Sequence, residues 1–295
     1  MRVLFLTAPS NDCDNHVRAF RSLAPAEHIV MQSKGIGIDW KILQSVRDNK
    51  PDVVFYISAN RGPYALKIQT LKEMREIAKT VNLCSDATDR PWHGVLAAYK
   101  KYECFDLQVS IDGGRPMAIG LSSLTPVDPT LYEGISPDRT IRCGFSGGTG
   151  GTRSEIISAL SWFGNLTVRH RAAKNGYEDH VTFLRSCRMV LNTSWTGSGQ
   201  AHHIKGRVLE AGWAGCALLE QAGSPIAEWF PKDCYFTWGD AKEAAEIIKN
   251  ASDDEINLRA RRLAEEVRAR YTPKSIYGEI LKRIGYADMT TKGSA

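Results

Sequence analysis

No two of the seven cysteines (13, 84, 104, 143, 187, 216 and 234) form a CxxC pair, and their number is odd. That spacing argues against a disulfide framework and a structural zinc site, which would leave tighter spacings. It predicts reduced cysteines in a cytoplasmic protein. Long apolar runs are also missing. No segment approaches the roughly 20 apolar residues that span a bilayer. The opening "MRVLFLTAPS" carries one positive charge and a short apolar stretch, so it reads as a first β-strand and not as a signal peptide. The charge imbalance is small as well: the formal net charge is +5, with both signs interspersed. Such a balance fits an anionic small-molecule ligand and is no nucleic-acid signature by itself. Internal repeats and low-complexity segments are absent.

What the chain does have is an ordinary globular composition, 43% apolar and 24% charged. At 295 residues it is long for one domain and sufficient for two of roughly 130–150. Short apolar runs such as "RVLFLTA", "EHIVMQS", "PDVVFYIS", "VNLC" and "FDLQVSIDG" alternate with amphipathic stretches such as "IDWKILQSVRDNK" and "YALKIQTLKEMREIAKT". The loop "PSNDCDN" separates the first strand from a helix over "HVRAFRSLA". The alternation breaks at the proline-bearing "LSSLTPVDPTLYEGISPDRT" and then restarts with "IRCGFSG". Strands alternating with helices imply right-handed crossovers and parallel sheets. The expected fold class is therefore α/β, with two Rossmann-like doubly wound domains facing a cleft. The domains are placed at 1–135 and 136–272, followed by a C-terminal helix and tail at 273–295 that pack back on the first domain.

Two segments of the second half concentrate groups that could carry chemistry. "GFSGGTGGTRSE" runs from a strand through five glycines into a helix. Glycines let backbone amides approach a ligand, and a helix start favours an anion. Gly147, Gly148 and Arg153 are candidates on those grounds. The segment lacks both GxxxxGK[ST] and the third glycine of the dinucleotide fingerprint, and a turn without ligand is the plain alternative. The second segment is "VLNTSWTGSGQAHHIKGRVLEAGWAGCALLEQ". A helix from Gly206 to Ala214 puts Arg207 and Glu210, three apart, on one face, with His202, His203 and Lys205 at or before its start. Ser194 lies in the polar loop and Arg171 at the end of the strand "LTVRHRA". Basic groups for phosphates and a carboxylate for sugar hydroxyls make a coherent nucleoside-diphosphate site. The competing reading pairs Arg207 with Glu210 on a solvated face. A metal is not expected, because adjacent histidines point apart on a helix and no carboxylate has ligand spacing to them.

These segments resemble the CgeB-like (spore-maturation) glycosyltransferases of the GT-B superfamily. The shared pattern is a strand ending in Asn-x-Ser, a polar loop, G-R-x-x-E-x-x-x-x-G, a short apolar strand, and a helix ending in Trp-Phe. "CGFSGGTGGTRSEIISAL" is similar to that family's entry into its second domain. The likeness is good over about 140–275 and topological over 1–135. It implies transfer of a sugar from a nucleoside-diphosphate sugar, a UDP-sugar above all, to an acceptor hydroxyl, with no bound cofactor and no bound metal. Glu210 would meet the donor ribose, and Arg207 and Arg153 the diphosphate. The retaining E-x7-E enzymes carry a second glutamate where this chain has His202, so that pair is not available here.

An inverting transfer needs a base on the acceptor hydroxyl. Asp12, Asp14 and His16, after the first strand, are the candidates, the alternative being a helix cap with a solvated histidine. Trp92 is read as a sugar platform or as core. The acceptor is open: a glycan, a small molecule, a protein or a modified DNA base. Rival functions are a DNA-base glycosyltransferase, a non-catalytic two-domain sugar or nucleotide sensor, and a GT-B-shaped epimerase.

Overall fold

The computed structural model describes residues 1–31, 37–57, 64–134, 138–162, 166–170 and 176–286. Arg171 lies outside them, as do the side chains of Asn11 and Asp12. The chain divides into two compact units, one of Met1–Pro126 with the chain from Pro273, the other of Val127–Thr272.

In the first unit, strands β1 (Val3–Thr7), β2 (Glu27–Val30), β3 (Val53–Ile57), β4 (Lys79–Cys84), β5 (Leu107–Ser110) and β6 (Leu121–Ser122) alternate with four helices. These are α1 (Asn11–Arg21), α2 (Ile38–Asn49), α3 (Ile68–Ile77) and α4 (Arg90–Lys101). The strands form one parallel sheet in the order β2-β1-β3-β4-β5-β6. Every residue of β1 and β3 is buried, which explains their unbroken apolar runs.

Two segments depart from the expectation. The "PSNDCDN" stretch is helical from Asn11 onward, because the Ser10 side chain accepts the Cys13 amide and starts the helix early. Helix α4 was not anticipated from "DRPWHGVLAAYKK". Its first turn carries a proline, which suits a helix start, and its buried Leu96 and Tyr99 lie three apart.

The second unit holds β7 (Ile141–Gly147), α5 (Ser154–Trp162), β8 (Thr167–His170), α6 (Tyr177–Arg185), β9 (Cys187–Asn192), α7 (Arg207–Ala214), β10 (Ala217–Gln221), β11 (Tyr235–Trp238), α8 (Ala241–Asn250) and α9 (Asp253–Arg270). Its sheet is parallel, in the order β11-β10-β9-β7-β8. One side of it, with Phe145, Leu191, Leu219 and Trp238, packs on Leu160, Ile248 and Ile256 of α5, α8 and α9. Gly212 of α7 lies against α9 so closely that a Cβ there would come within 2.6 Å of Val267 Cγ2. Gly215, with φ +67°, then ends α7 in the left-handed conformation. The last helix, α10 (Pro273–Arg283), belongs to the first unit, where Tyr277 packs edge-on against Phe5, Phe20 and Phe55.

The strand order positions the site. From β7 the chain crosses to β8 on one side and then returns to β9 on the other. The segments after β7 and after β9 therefore diverge at the carboxyl ends of adjacent strands, the switch point where open α/β sheets bind ligands. Both candidate segments of the second unit occupy that place. Among the described residues, no helix is long and apolar enough to cross a membrane.

Candidate active site

Glu210 is the centre of the second unit's polar groups. It lies in the first turn of α7, with its side chain 11% exposed. Three donors converge on it. His180 Nε2 stands 3.1 Å from Oε2, and Arg207 Nε donates to the same oxygen at 3.3 Å. The Tyr177 hydroxyl donates to Oε1 at 2.9 Å. Burial alone would raise the carboxyl's pKa, but the charge and hydrogen bond of His180, then Arg207 and Tyr177, hold it at about 2. Glu210 is thus a carboxylate at any physiological pH. The expected Arg207–Glu210 pair exists, yet it is buried and does not sit on a solvated face.

Further groups stand behind these donors. The Ser146 hydroxyl of β7 is 2.9 Å from His180 Nδ1, and Arg169 Nη1 of β8 approaches the same hydroxyl at 3.5 Å. The Tyr132 hydroxyl is 3.3 Å from that of Tyr177. Sequence reasoning did not single out Tyr132, Ser146, Tyr177 or His180. A signal for the two on α6 was present: Tyr177, His180, Val181 and Leu184 fall at i, i+3, i+4 and i+7, so a tyrosine and a histidine share the inward stripe with two apolar residues.

Arg207 links this cluster to the glycine turn. Its guanidinium lies over the Phe145 ring, 5.7 Å from the centroid. Its Nη1 is buried without a hydrogen-bond partner among the described residues. A Cβ on Gly147 would lie 3.7 Å from Arg207 Nη2, and Gly147 has φ +154°, which side-chain-bearing residues rarely adopt. Gly148 and Gly150 face open space. Arg153 closes a short 3-10 turn ahead of α5 and reaches the Gly148 carbonyl at 3.5 Å.

The loop from β9 to α7 is a small hairpin. Trp195 and His202 bridge across it and stack at 3.8 Å between ring centroids. His202 Nδ1 meets the Ser194 hydroxyl at 2.6 Å, and Ser194 N donates to Gln221 at 3.0 Å. The other edge of the His202 ring rests against Gly223. His202 and Ser194 therefore brace the loop, while His203 is buried and Lys205 half-buried just before α7. Glu220, at the end of β10 and paired in register with Asn192, is wholly buried. Asn192 Nδ2 donates to it at 2.7 Å. Burial pushes this carboxyl up to about 7, against Asn192, Ser224 and Lys205, which lower it.

Among the described side chains, the first unit's candidates are not gathered into a cluster of this kind. His16 is corrected to a core residue: it is 2% exposed, its ring lies 3.4 Å from the Tyr277 hydroxyl, and burial lowers its pKa to about 4. A base with no solvent contact cannot meet an acceptor. Asp14 remains accessible at 44% exposure, 4.0 Å from His28. Asp12 lies in the first turn of α1. Trp92 packs against the Cys84, Ala87 and Leu96 cluster, the core alternative.

Residues 142–282 match the family described as glycosyl transferase-like. No curated protein matches the sequence. Among solved structures, HepE of Anabaena in complex with UDP and glucose superposes with a TM-score of 0.67 at 13% identity, over 96% of this chain and 98% of that one. An alpha-glucosyltransferase in complex with UDP and a 13-mer DNA gives 0.63 at 12% identity, over 97% and 100%. AviGT4, a glycosyltransferase involved in avilamycin A biosynthesis, gives 0.56 at 15%, over 96% and 97%. The fold is that of the GT-B glycosyltransferases.

Proposed function

We propose that the protein is a glycosyltransferase that moves a sugar from a UDP-sugar to an acceptor hydroxyl, with the second unit holding the donor and the first the acceptor. One observation carries the reading. Arg207 uses Nε on Glu210, its Nη2 lies beside the glycine turn at Gly147, and its Nη1 is buried with no hydrogen-bond partner among the described residues. An unpaired buried guanidinium N–H costs free energy that an anion recovers. The diphosphate is that anion, cradled by Gly147, Gly148 and Arg153, with Lys205 as a further cation, His203 as a further contact, and Arg171, outside the described residues, as a further candidate. Glu210 takes the ribose, and Ser194 and His202 shape the loop over it. The structural neighbours hold UDP and UDP-glucose, which supports uridine as the base.

In this reading the protein works in the cytoplasm without a bound metal, since arginines neutralise the leaving diphosphate. Within the GT-B enzymes we place it beside the CgeB-like branch. Asp14 is the accessible candidate for the acceptor's base.

UDP binding measured by thermal shift tests the donor site. A ligand that binds only the folded state adds about 2.7 kcal/mol at a hundred times its Kd. The shift is expected with UDP, and Arg207→Ala and Glu210→Gln are each expected to remove it. Persistence in both would overturn the assignment. The neighbour that binds DNA favours one second reading, a modified DNA base as acceptor. Salt-sensitive binding of duplex DNA would support it.

A further inference from the structure

The donors around Glu210 can be counted against its capacity. A carboxylate offers about four lone-pair positions, two on each oxygen. His180 Nε2 and Arg207 Nε fill both positions on Oε2. The Tyr177 hydroxyl fills one on Oε1. One position on Oε1 remains. Tyr177 has a single hydroxyl proton, and Glu210 receives it. Tyr132, 3.3 Å away, is therefore the donor in the tyrosine pair and fixes the direction of the Tyr177 hydroxyl. Burial, and the charge on Glu210, raise both phenols well above their ordinary range, so both stay protonated as donors.

We infer that Tyr177, oriented by Tyr132, determines specificity at the nucleotide site by leaving Glu210 one open acceptor position, so that the carboxylate takes one ribose hydroxyl and not two. This rests on the donor reading above. Arg207 does not have to leave Glu210 for a diphosphate to bind, because its Nη1 has no hydrogen-bond partner among the described residues. The count on Oε2 therefore stands when ligand is present. The relay also makes the ribose contact directional, since the open position lies on the oxygen that faces Tyr177 and not on the one held by His180.

Calorimetric titration of the full chain with UDP, 2′-deoxy-UDP and 3′-deoxy-UDP tests this. Loss of one hydrogen bond to a charged group weakens binding about tenfold or more. In the wild type, one deoxy analogue is expected to bind about tenfold more weakly than UDP, and the other within about threefold of it. Equal loss for both analogues, or loss for neither, overturns the inference, and this arm needs no variant. In Tyr177→Phe a second position opens on Oε1, so both analogues are expected to lose affinity relative to UDP. A one-hydroxyl pattern that persists in Tyr177→Phe removes Tyr177 from the role. Glu210→Gln separates the two levels. If it binds UDP as the wild type does, the donor reading itself fails. If it binds at least tenfold more weakly while both hydroxyls matter equally in the wild type, only the present inference fails.

Discussion

The two units each bury an ionisable side chain, and burial drives the two pKa values in opposite directions. In the first unit His16 is pushed down to about 4. In the second, Glu220 is pushed up to about 7. The cause is the same, removal from water, and it favours the neutral form each time; histidine is neutral when it loses a proton and glutamate when it gains one. Glu210 is the exception. It is buried nearly as deeply as Glu220 and lies ten residues away, yet it stays near 2 because three donors serve it where Glu220 has one well-formed partner, Asn192. A buried charge survives where its hydrogen bonds are supplied, and the second unit supplies them at the switch point of its sheet.

Removing that charge should give the largest effect. Glu210→Ala strands His180, Arg207 and Tyr177 in a buried place, and breaking such an arrangement from one side costs about 3–5 kcal/mol. The loss should appear in the denaturant midpoint of the second unit and leave the first unit's transition unmoved. Equal movement of both transitions would contradict the view that the cluster belongs to one unit's core.

The opposed pKa values make a second test. His16 is charged in the unfolded chain below 6.5 and in the folded chain only below about 4. Its contribution to stability is therefore complete above 6.5 and lost as pH falls from there to about 4. Glu220 holds its proton up to about 7 when folded and up to 4.5 when unfolded. Its contribution is complete below 4.5 and lost as pH rises to about 7. Each amounts to something on the order of 3 kcal/mol. Across pH 4.5–6.5 the first unit should gain stability and the second lose it. His16→Phe should flatten the first slope, while the Tyr277 hydroxyl keeps its bond to the backbone carbonyl of residue 16. Glu220→Gln should flatten the second. Denaturant midpoints over that range decide, and parallel slopes in both units would refute the assignment.

The same contrast shows what the sequence made legible. Apolar runs alternating with amphipathic stretches were enough for two parallel sheets, because a strand covered on both faces has to be apolar throughout. Arg207 and Glu210 could be paired from their spacing, since three residues on a helix fix the face. His16 could not be placed. Whether a histidine after a first strand faces solvent or a core depends on where the last helix lands, and Tyr277 is 261 residues away. The cluster around Glu210 was half visible for the same reason. One partner, Arg207, is local, whereas Tyr177 and His180, with Ser146 behind His180, reach it through strand order. Helix α4 is a different failure: a proline and a glycine in "DRPWHGVLAAYKK" hid a helix whose first turn accommodates that proline.

Packing should give a smaller effect than charge. At Gly212 an added Cβ would meet Val267 Cγ2 at 2.6 Å and Val267 Cβ at 3.0 Å, across the α7–α9 contact. Gly212→Ala should cost the second unit about 1–3 kcal/mol from overpacking. Val267→Ala in the same chain should return part of that loss, because it removes the methyls in the way. If the double variant is no more stable than Gly212→Ala, close approach is not the reason for glycine there.

The smallest effect compares one helix start from each unit. Ser10 caps α1 through a single bond, from Cys13 N at 3.2 Å. Ser252 caps α9 in a reciprocal box: it accepts from Glu255 N at 3.3 Å, and the Glu255 side chain accepts from Ser252 N at 3.0 Å. A serine cap is worth about 1 kcal/mol when replaced by alanine. The box has a second bond, which ends on the backbone N–H of residue 252 and survives in alanine. The Ser252 hydroxyl also donates to Glu255 Oε2 at 3.0 Å, a bond that alanine removes. Ser252→Ala should therefore cost somewhat more than Ser10→Ala, and Glu255→Ala less than Ser252→Ala, because the serine oxygen still caps the helix. Urea midpoints of the three variants measure this. If Ser252→Ala cost no more than Ser10→Ala, the hydroxyl's bond to Glu255 would contribute nothing to the cap.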